Sequence, residues 1–350
     1  MTMKILKWFF IFLPISILGE FMHFSPILMF IFSALSIVPL AGIMGEATEE
    51  ISFYSGPKIG GFLNATFGNA TELIISFFAL KSGLFGVVKA SIAGSVIGNI
   101  LLVLGASMLF GGLKFKTQKF NKHIVETSSS MLIFAVIGLS VPAIFTHTLK
   151  PSLLNTTYEG LSVVVAVVMF IIYILSLVFY FYTHKDIYAV ESDDFGEAKW
   201  SLKKSIIILI IATILIAIES ELLVSSVEPM TNTLGLSELF VGIIIMPIIG
   251  NAAEHSTAVM MAMKNKMNVA IEIAIGSSLQ IILFVAPVLI FLSLLFTPMS
   301  IIFNEFELVA LIVSVFIANR VASDGESNWL EGVQLLAVYF IVAAAFFIIK

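Results

Sequence analysis

Gly68-Asn69-Ala70-Thr71-Glu72 returns 182 positions later as Gly250-Asn251-Ala252-Ala253-Glu254. At the same offset and without a gap, Gly94-Ser95 falls on Gly276-Ser277, Gly60 on Gly242, Glu46 on Glu228 and Ile100-Leu101 on Ile282-Leu283. Coincidences among apolar residues are common in a chain this hydrophobic. Agreement of Gly, Asn, Ser and Glu at one offset is not. The chain therefore reads as two related halves.

Both copies lie in apolar sequence. Of 350 residues, 59% are hydrophobic and 12% charged, with a mean hydropathy of +1.08. Soluble domains carry about 25% charged residues. Apolar runs of about 18 or more residues mark membrane-spanning helices, and the polar breaks leave eleven of them. They lie near 5–22, 26–44, 59–80, 85–111, 124–146, 158–182, 205–224, 237–262, 268–296, 299–319 and 330–349. The expected fold is an all-α polytopic membrane protein whose main partner is the lipid bilayer. A net charge of −5 gives no reason to expect nucleic acid. The absence of cysteine excludes disulfides, thiolate metal sites and a cysteine nucleophile. The first apolar run follows Lys4 and Lys7 but precedes no small-residue cleavage site, so it is expected to stay as a first helix.

Basic residues orient the spans. Fourteen Lys and Arg fall on the amino-terminal side, including Lys114, Lys116, Lys119 and Lys122, against Lys81, Lys89, Lys150 and Lys350 on the other. The amino terminus is then cytoplasmic and the carboxyl terminus external, in a plasma (inner) membrane. Span three runs outward and span eight inward, so the related halves form an inverted repeat, as in many secondary transporters. The expected division is an extra helix at 1–24, a first five-helix repeat at 25–183, a cytoplasmic linker at 184–204 and a second, inverted five-helix repeat at 205–350. The linker holds Glu191, Asp193, Asp194 and Glu197. It reads either as a solvated connection or as a cation-sensing segment.

Glu72 and Glu254 each lie at least eight residues inside a span, ~12 Å deep at 1.5 Å per residue. An acidic residue there costs roughly 2.5–3.5 kcal/mol on insertion scales. One explanation is a carboxyl that is merely protonated or hydrogen-bonded in a packing contact; the other, the default inside a membrane, is a place on an ion pathway. Asn69 and Asn251 precede the glutamates by three positions and share their helix face. Gly68, Gly250 and Pro247 weaken the helix beside them, which frees backbone carbonyls. Ser95, Ser277 and Ser278 follow Gly94 and Gly276 and offer hydroxyls, although Gly94 and Gly98 also form a small-xxx-small packing pair. Every one of these donors is an oxygen. Ca2+ takes 6–8 oxygen ligands, whereas softer metals favour sulfur and imidazole. Only His255 is nearby, about 100° around the helix from Glu254, and it reads equally as a proton carrier or as a packed polar residue. Two carboxylates held together away from water keep protons while the site is empty and give them up to a cation that binds.

The stretches Gly60-Gly61-Phe62-Leu63-Asn64-Ala65-Thr66-Phe67-Gly68-Asn69-Ala70-Thr71-Glu72-Leu73 and Pro247-Ile248-Ile249-Gly250-Asn251-Ala252-Ala253-Glu254-His255 resemble the calcium/cation antiporter superfamily, as does Gly276-Ser277-Ser278-Leu279-Gln280-Ile281. The resemblance is to its Ca2+/H+ exchanger branch in bacterial form. It implies export of cytosolic Ca2+ in exchange for H+ by alternating access, with Glu72 and Glu254 as midplane ligands. The Asn69 and Asn251 side chains, on the same helix faces, are expected as further direct ligands beside carbonyls and water. The resemblance also implies proton-passage or gating roles for Glu46, Glu50 and Glu228, and His255 and Gln280 are further candidates for such roles beside the repeat motifs. No cofactor and no enzymatic activity are implied, and a homo-oligomer is compatible with it. A Na+/Ca2+ exchanger shares the architecture, but that branch has a proline just before the repeat glutamate, where this chain has Thr71 and Ala253. A membrane-embedded metalloenzyme and a passive channel are the other readings. The first lacks an H-E-x-x-H motif here, and coupled flux against a gradient separates the second.

Overall fold

The computed structural model describes residues 7–146, 157–184 and 198–349. The linker acids Glu191, Asp193, Asp194 and Glu197 lie outside the described residues. What is described is nearly all helix, as a backbone without water to bond must be. In chain order the helices are α1 (Phe12–Phe21), α2 (Pro26–Phe67), α3 (Ala70–Lys81), α4 (Phe85–Phe115), α5 (Lys122–Thr146), α6 (Thr157–Val178) and α7 (Leu202–Leu234). They continue with α8 (Glu238–Gly250), α9 (Ala252–Ala262), α10 (Met267–Ser293), α11 (Glu305–Val321) and α12 (Trp329–Ile348).

Among the described residues seven helices are long and apolar enough to cross a membrane, and the bent pair α8–α9 makes an eighth. The spans expected at 5–22, 59–80 and 299–319 fall on shorter helices. These are Trp8–Phe21, α3 with the tail of α2, and α11. Helix α2 runs without interruption through the connection expected at 45–58, yet it is not straight. A methyl group built on Gly60 would stand 2.7 Å from Cβ of Ser52, eight residues earlier. On a straight helix those positions are ~12 Å apart. The path therefore bends sharply between Ser52 and Gly60, a stretch in which Pro57 lacks a backbone donor.

Burial separates an inner pair from an outer ring. The apolar windows of α4 and α10 are 72% and 67% buried, against 28% for both α6 and α7 and 22% for α12. Helix α7 shows why. Ile207, Ile211, Ile214 and Ile218 are exposed at helical spacing, while Ala212, Ile216, Glu219 and Leu223 are buried on the opposite face against α2. An exposed isoleucine stripe of that length is a lipid-facing surface. Asn304 starts α11 by a reciprocal cap, its side chain accepting from Glu307 N while the Glu307 carboxylate accepts from Asn304 N, both at 2.8 Å. Asn328 and Glu331 repeat the device on α12. A short antiparallel pair, β1 (Thr117–Lys119) with β2 (Glu326–Asn328), ties the end of α4 to the start of α12.

Candidate functional site

Two helix breaks meet at the centre. The first falls at Gly68-Asn69 between α2 and α3, the second at Asn251 between α8 and α9, where the axes bend by 63°. Both asparagines adopt the same sparsely populated backbone conformation, Asn69 with φ −100° and ψ 21°, Asn251 with φ −94° and ψ 8°. Each break puts a glutamate, Glu72 or Glu254, in the first turn of the following half-helix. There the unpaired amides and the helix dipole favour negative charge. The last carbonyls of α2 and α8 lose their intrahelical partners at the same places.

The two glutamates are exchanged between the halves. A methyl group on Gly250 would meet Glu72 Oε1 at 3.1 Å, its Cγ at 3.2 Å and its Cδ at 3.3 Å. One on Gly68 would meet Glu254 Oε1 at 3.3 Å. Each carboxylate thus rests on the glycine of the other half. These two glycines serve the site directly. Gly94 instead lets α4 press against the backbone of α8 at Ile243, while a methyl group on Gly98 or Gly276 would meet nothing within 4 Å.

The supporting amides follow the same offset. Ser277 Oγ donates to Asn69 Oδ1 at 2.8 Å, and its counterpart Ser95 accepts from Asn251 Nδ2 at 3.3 Å. Asn69 Nδ2 donates to Gln280 Oε1 at 2.5 Å, whereas Asn251 Nδ2 turns to Pro247 O at 3.0 Å. Gln280 corresponds to Gly98, so this part of the match is lost. The helices supplying the serines carry widened π-turns at Gly98–Val103 and Ile281–Val285, again offset equivalents. Such turns recur at functional sites. Among the described residues, three acceptors of this cluster are buried without a hydrogen bond: Glu72 Oε2, Glu254 Oε2 and Asn251 Oδ1. Buried polar atoms normally have partners, so this group of bare oxygens suits a cation or protons. The Asn69 oxygen, expected as a direct ligand, is already engaged by Ser277.

The remaining candidates divide. Gln280 belongs to the cluster through Asn69, and His255 Nε2 bonds Asn99 Oδ1 at 3.1 Å. Asn99 was not anticipated, although a lone Asn four residues after Ser95 in an apolar run was a readable sign. Glu50 is buried but accepts from the amides of Lys199 and Trp200 at 2.8 and 2.9 Å, fastening the start of α7 to α2. Glu46 is half-buried and Glu228 exposed. Among the described residues none of these three is hydrogen-bonded to the central pair.

The model of the sodium/calcium exchanger protein family matches residues 25–182 and 204–348, and the chain belongs to that family. A Ca2+/H+ antiporter of Aphanothece halophytica is 49% identical over 355 residues, covering 96% of this chain and 94% of its own. The Ca2+/H+ antiporter ChaA of Bacillus subtilis (strain 168) is 46% identical, with 96% of each chain covered. The solved structure of native YfkE is similar with a TM-score of 0.84 at 43% identity, covering 97% of this chain and 99% of that one.

Proposed function

We propose that this member of the sodium/calcium exchanger family is a Ca2+/H+ antiporter that exports cytosolic Ca2+ and admits protons through one site built by Glu72 and Glu254. The observation that carries the reading is the pair of buried carboxylates, each seated on the other half's glycine with an unpartnered oxygen. Together they offer up to four oxygens and two negative charges, which one Ca2+ or two protons neutralise. The bare dianion is the costly state in a low-dielectric interior. If only the neutralised forms reorient, Ca2+ and protons must move in opposite directions. The names of the close relatives support the same ions.

The finer assignments rest on this reading. Asn251 Oδ1, the carbonyls ending α2 and α8, and water complete the Ca2+ shell. Asn69 supports from behind, positioned by Ser277 and Gln280. The matched stretches 25–182 and 204–348 fall close to the two expected repeats. Adding the three short helices to the eight spans gives eleven crossings, with the amino terminus cytoplasmic by its lysines. The swap is tested by calorimetry of Ca2+ binding in buffers of different ionisation enthalpy. Proton release accompanying Ca2+ binding is expected near neutral pH and should fall in Glu72→Gln. Binding with no proton release at any pH would remove the competitive site.

A further inference from the structure

We propose that Glu219 of α7 is a proton-binding site in its own right, loaded in this conformation and separate from the Glu72–Glu254 pair. Its side chain is fully buried, on the face of α7 that packs against α1 and α2. It lines up with Ile37 at the repeat offset, so the first half has no counterpart and the duplicated site does not account for it.

The hydrogen inventory assigns the proton. Ser16 Oγ of α1 lies 2.7 Å from Glu219 Oε1 and 2.9 Å from the carbonyl oxygen of Leu13. A carbonyl can only accept, and a serine has one hydrogen to give. Were Glu219 ionised, both oxygens would compete for that single hydrogen and one short oxygen–oxygen contact would hold none. With a proton on the carboxyl, Glu219 donates to Ser16 and Ser16 donates to Leu13, and both contacts are satisfied. The neighbouring hydroxyl of Ser36 already donates to Phe32 O at 2.8 Å and stands 3.5 Å from Ser16 Oγ. Ser33 Oγ, one helical turn before Ser36, lies beside the Glu219 carboxyl, but neither it nor Glu219 Oε2 makes a hydrogen bond of normal geometry. A neutral acid tolerates an unpartnered carbonyl oxygen far better than a carboxylate does.

Among the described residues no cation compensates a charge there. The titratable groups on the packed elements are Glu20 of α1, Glu46, Glu49 and Glu50 of α2, Glu72 and Lys81 of α3, Glu238 of α8, and Lys203, Lys204, Glu221 and Glu228 of α7 itself. Lys81 pairs with Glu221 at 3.7 Å. Glu20, Lys203, Lys204 and Glu228 are exposed, and among the described residues none of these groups forms an ion pair with Glu219. The proton therefore fastens α1, the helix outside the two halves, to α7.

Infrared spectra of the purified full chain with saturating Ca2+ test this, because a protonated carboxyl and a carboxylate have distinct stretching bands. At neutral pH, Glu219→Gln should lose one protonated-acid band relative to the parent. Since the amide can donate to Ser16 as the acid does, Ca2+ flux should stay within about twofold of the parent. Ser16→Ala, which leaves Glu219 in place, should shift that band to higher frequency by removing its acceptor. Loss of a carboxylate band instead in Glu219→Gln, or an unshifted acid band in Ser16→Ala, overturns the proposal. The serine variant still reads the site if the glutamine variant does not fold.

Discussion

Adding one methyl group at Gly250 tests the crossed arrangement of the carboxylates. The methyl would lie 3.1 Å from Glu72 Oε1 and 3.2–3.3 Å from its Cγ and Cδ, closer than ordinary contact on three atoms at once. Glu72 must retreat by a few tenths of an ångström, comparable with the tolerance of about 0.5 Å for a preorganised site. Overpacking of this kind costs about 1–3 kcal/mol. Carried by affinity alone, that is roughly a 5- to 150-fold weaker half-saturation for Ca2+. The local backbone effect has the opposite sign, since alanine is favoured over glycine in a helix by roughly 1 kcal/mol. Gly250→Ala should thus weaken ⁴⁵Ca2+ uptake into everted vesicles while the protein still folds, with a net loss of stability of no more than about 2 kcal/mol. Gly276→Ala is the control, because its methyl would meet nothing within 4 Å. Unchanged half-saturation in Gly250→Ala, or an equal loss in Gly276→Ala, would refute the reasoning.

Glu72→Gln and Glu254→Gln should each abolish Ca2+ transport while the protein still folds, since a neutral amide is less costly to bury than a carboxylate; near-normal flux in either well-expressed variant removes it from the site. His255→Gln, which can still reach Asn99, should keep the pH profile of exchange if His255 only packs, and a displaced profile would make it a proton carrier. For topology the exposed Lys119 is the probe, and Lys119→Cys should be labelled by an impermeant thiol reagent only from the cytoplasmic side. Labelling in intact cells reverses the orientation.

The duplicated Gly-Asn-x-x-Glu was legible because chance does not align polar residues at one offset, and the structure brings its members together. Reading by apolar runs erred where polar and apolar signals part. It began the tenth span at 299, whereas Asn304 and Glu307 carry a capping signature that starts the helix at Glu305. Reading polar residues as loop hid that α2 stays helical through Glu46, Glu49 and Glu50. The pairing of Gln118 with Ser327 spans two halves of the chain and has no local signal. Glu219 was legible by the argument used for Glu72, as a carboxylate inside an apolar run. Lacking a partner at the repeat offset, it passed unnoticed. Bare acceptors and π-turns belong to tertiary geometry and are not written in spacing.

The most direct measurement is ⁴⁵Ca2+ uptake into everted vesicles under one imposed gradient at a time. With an acidic lumen and no sodium, uptake should proceed above equilibrium and collapse on adding a protonophore. With equal pH on both sides and sodium loaded in the lumen, no uptake should follow. Uptake driven by the outward sodium gradient, and indifferent to the proton gradient, would contradict exchange of Ca2+ for protons at Glu72 and Glu254.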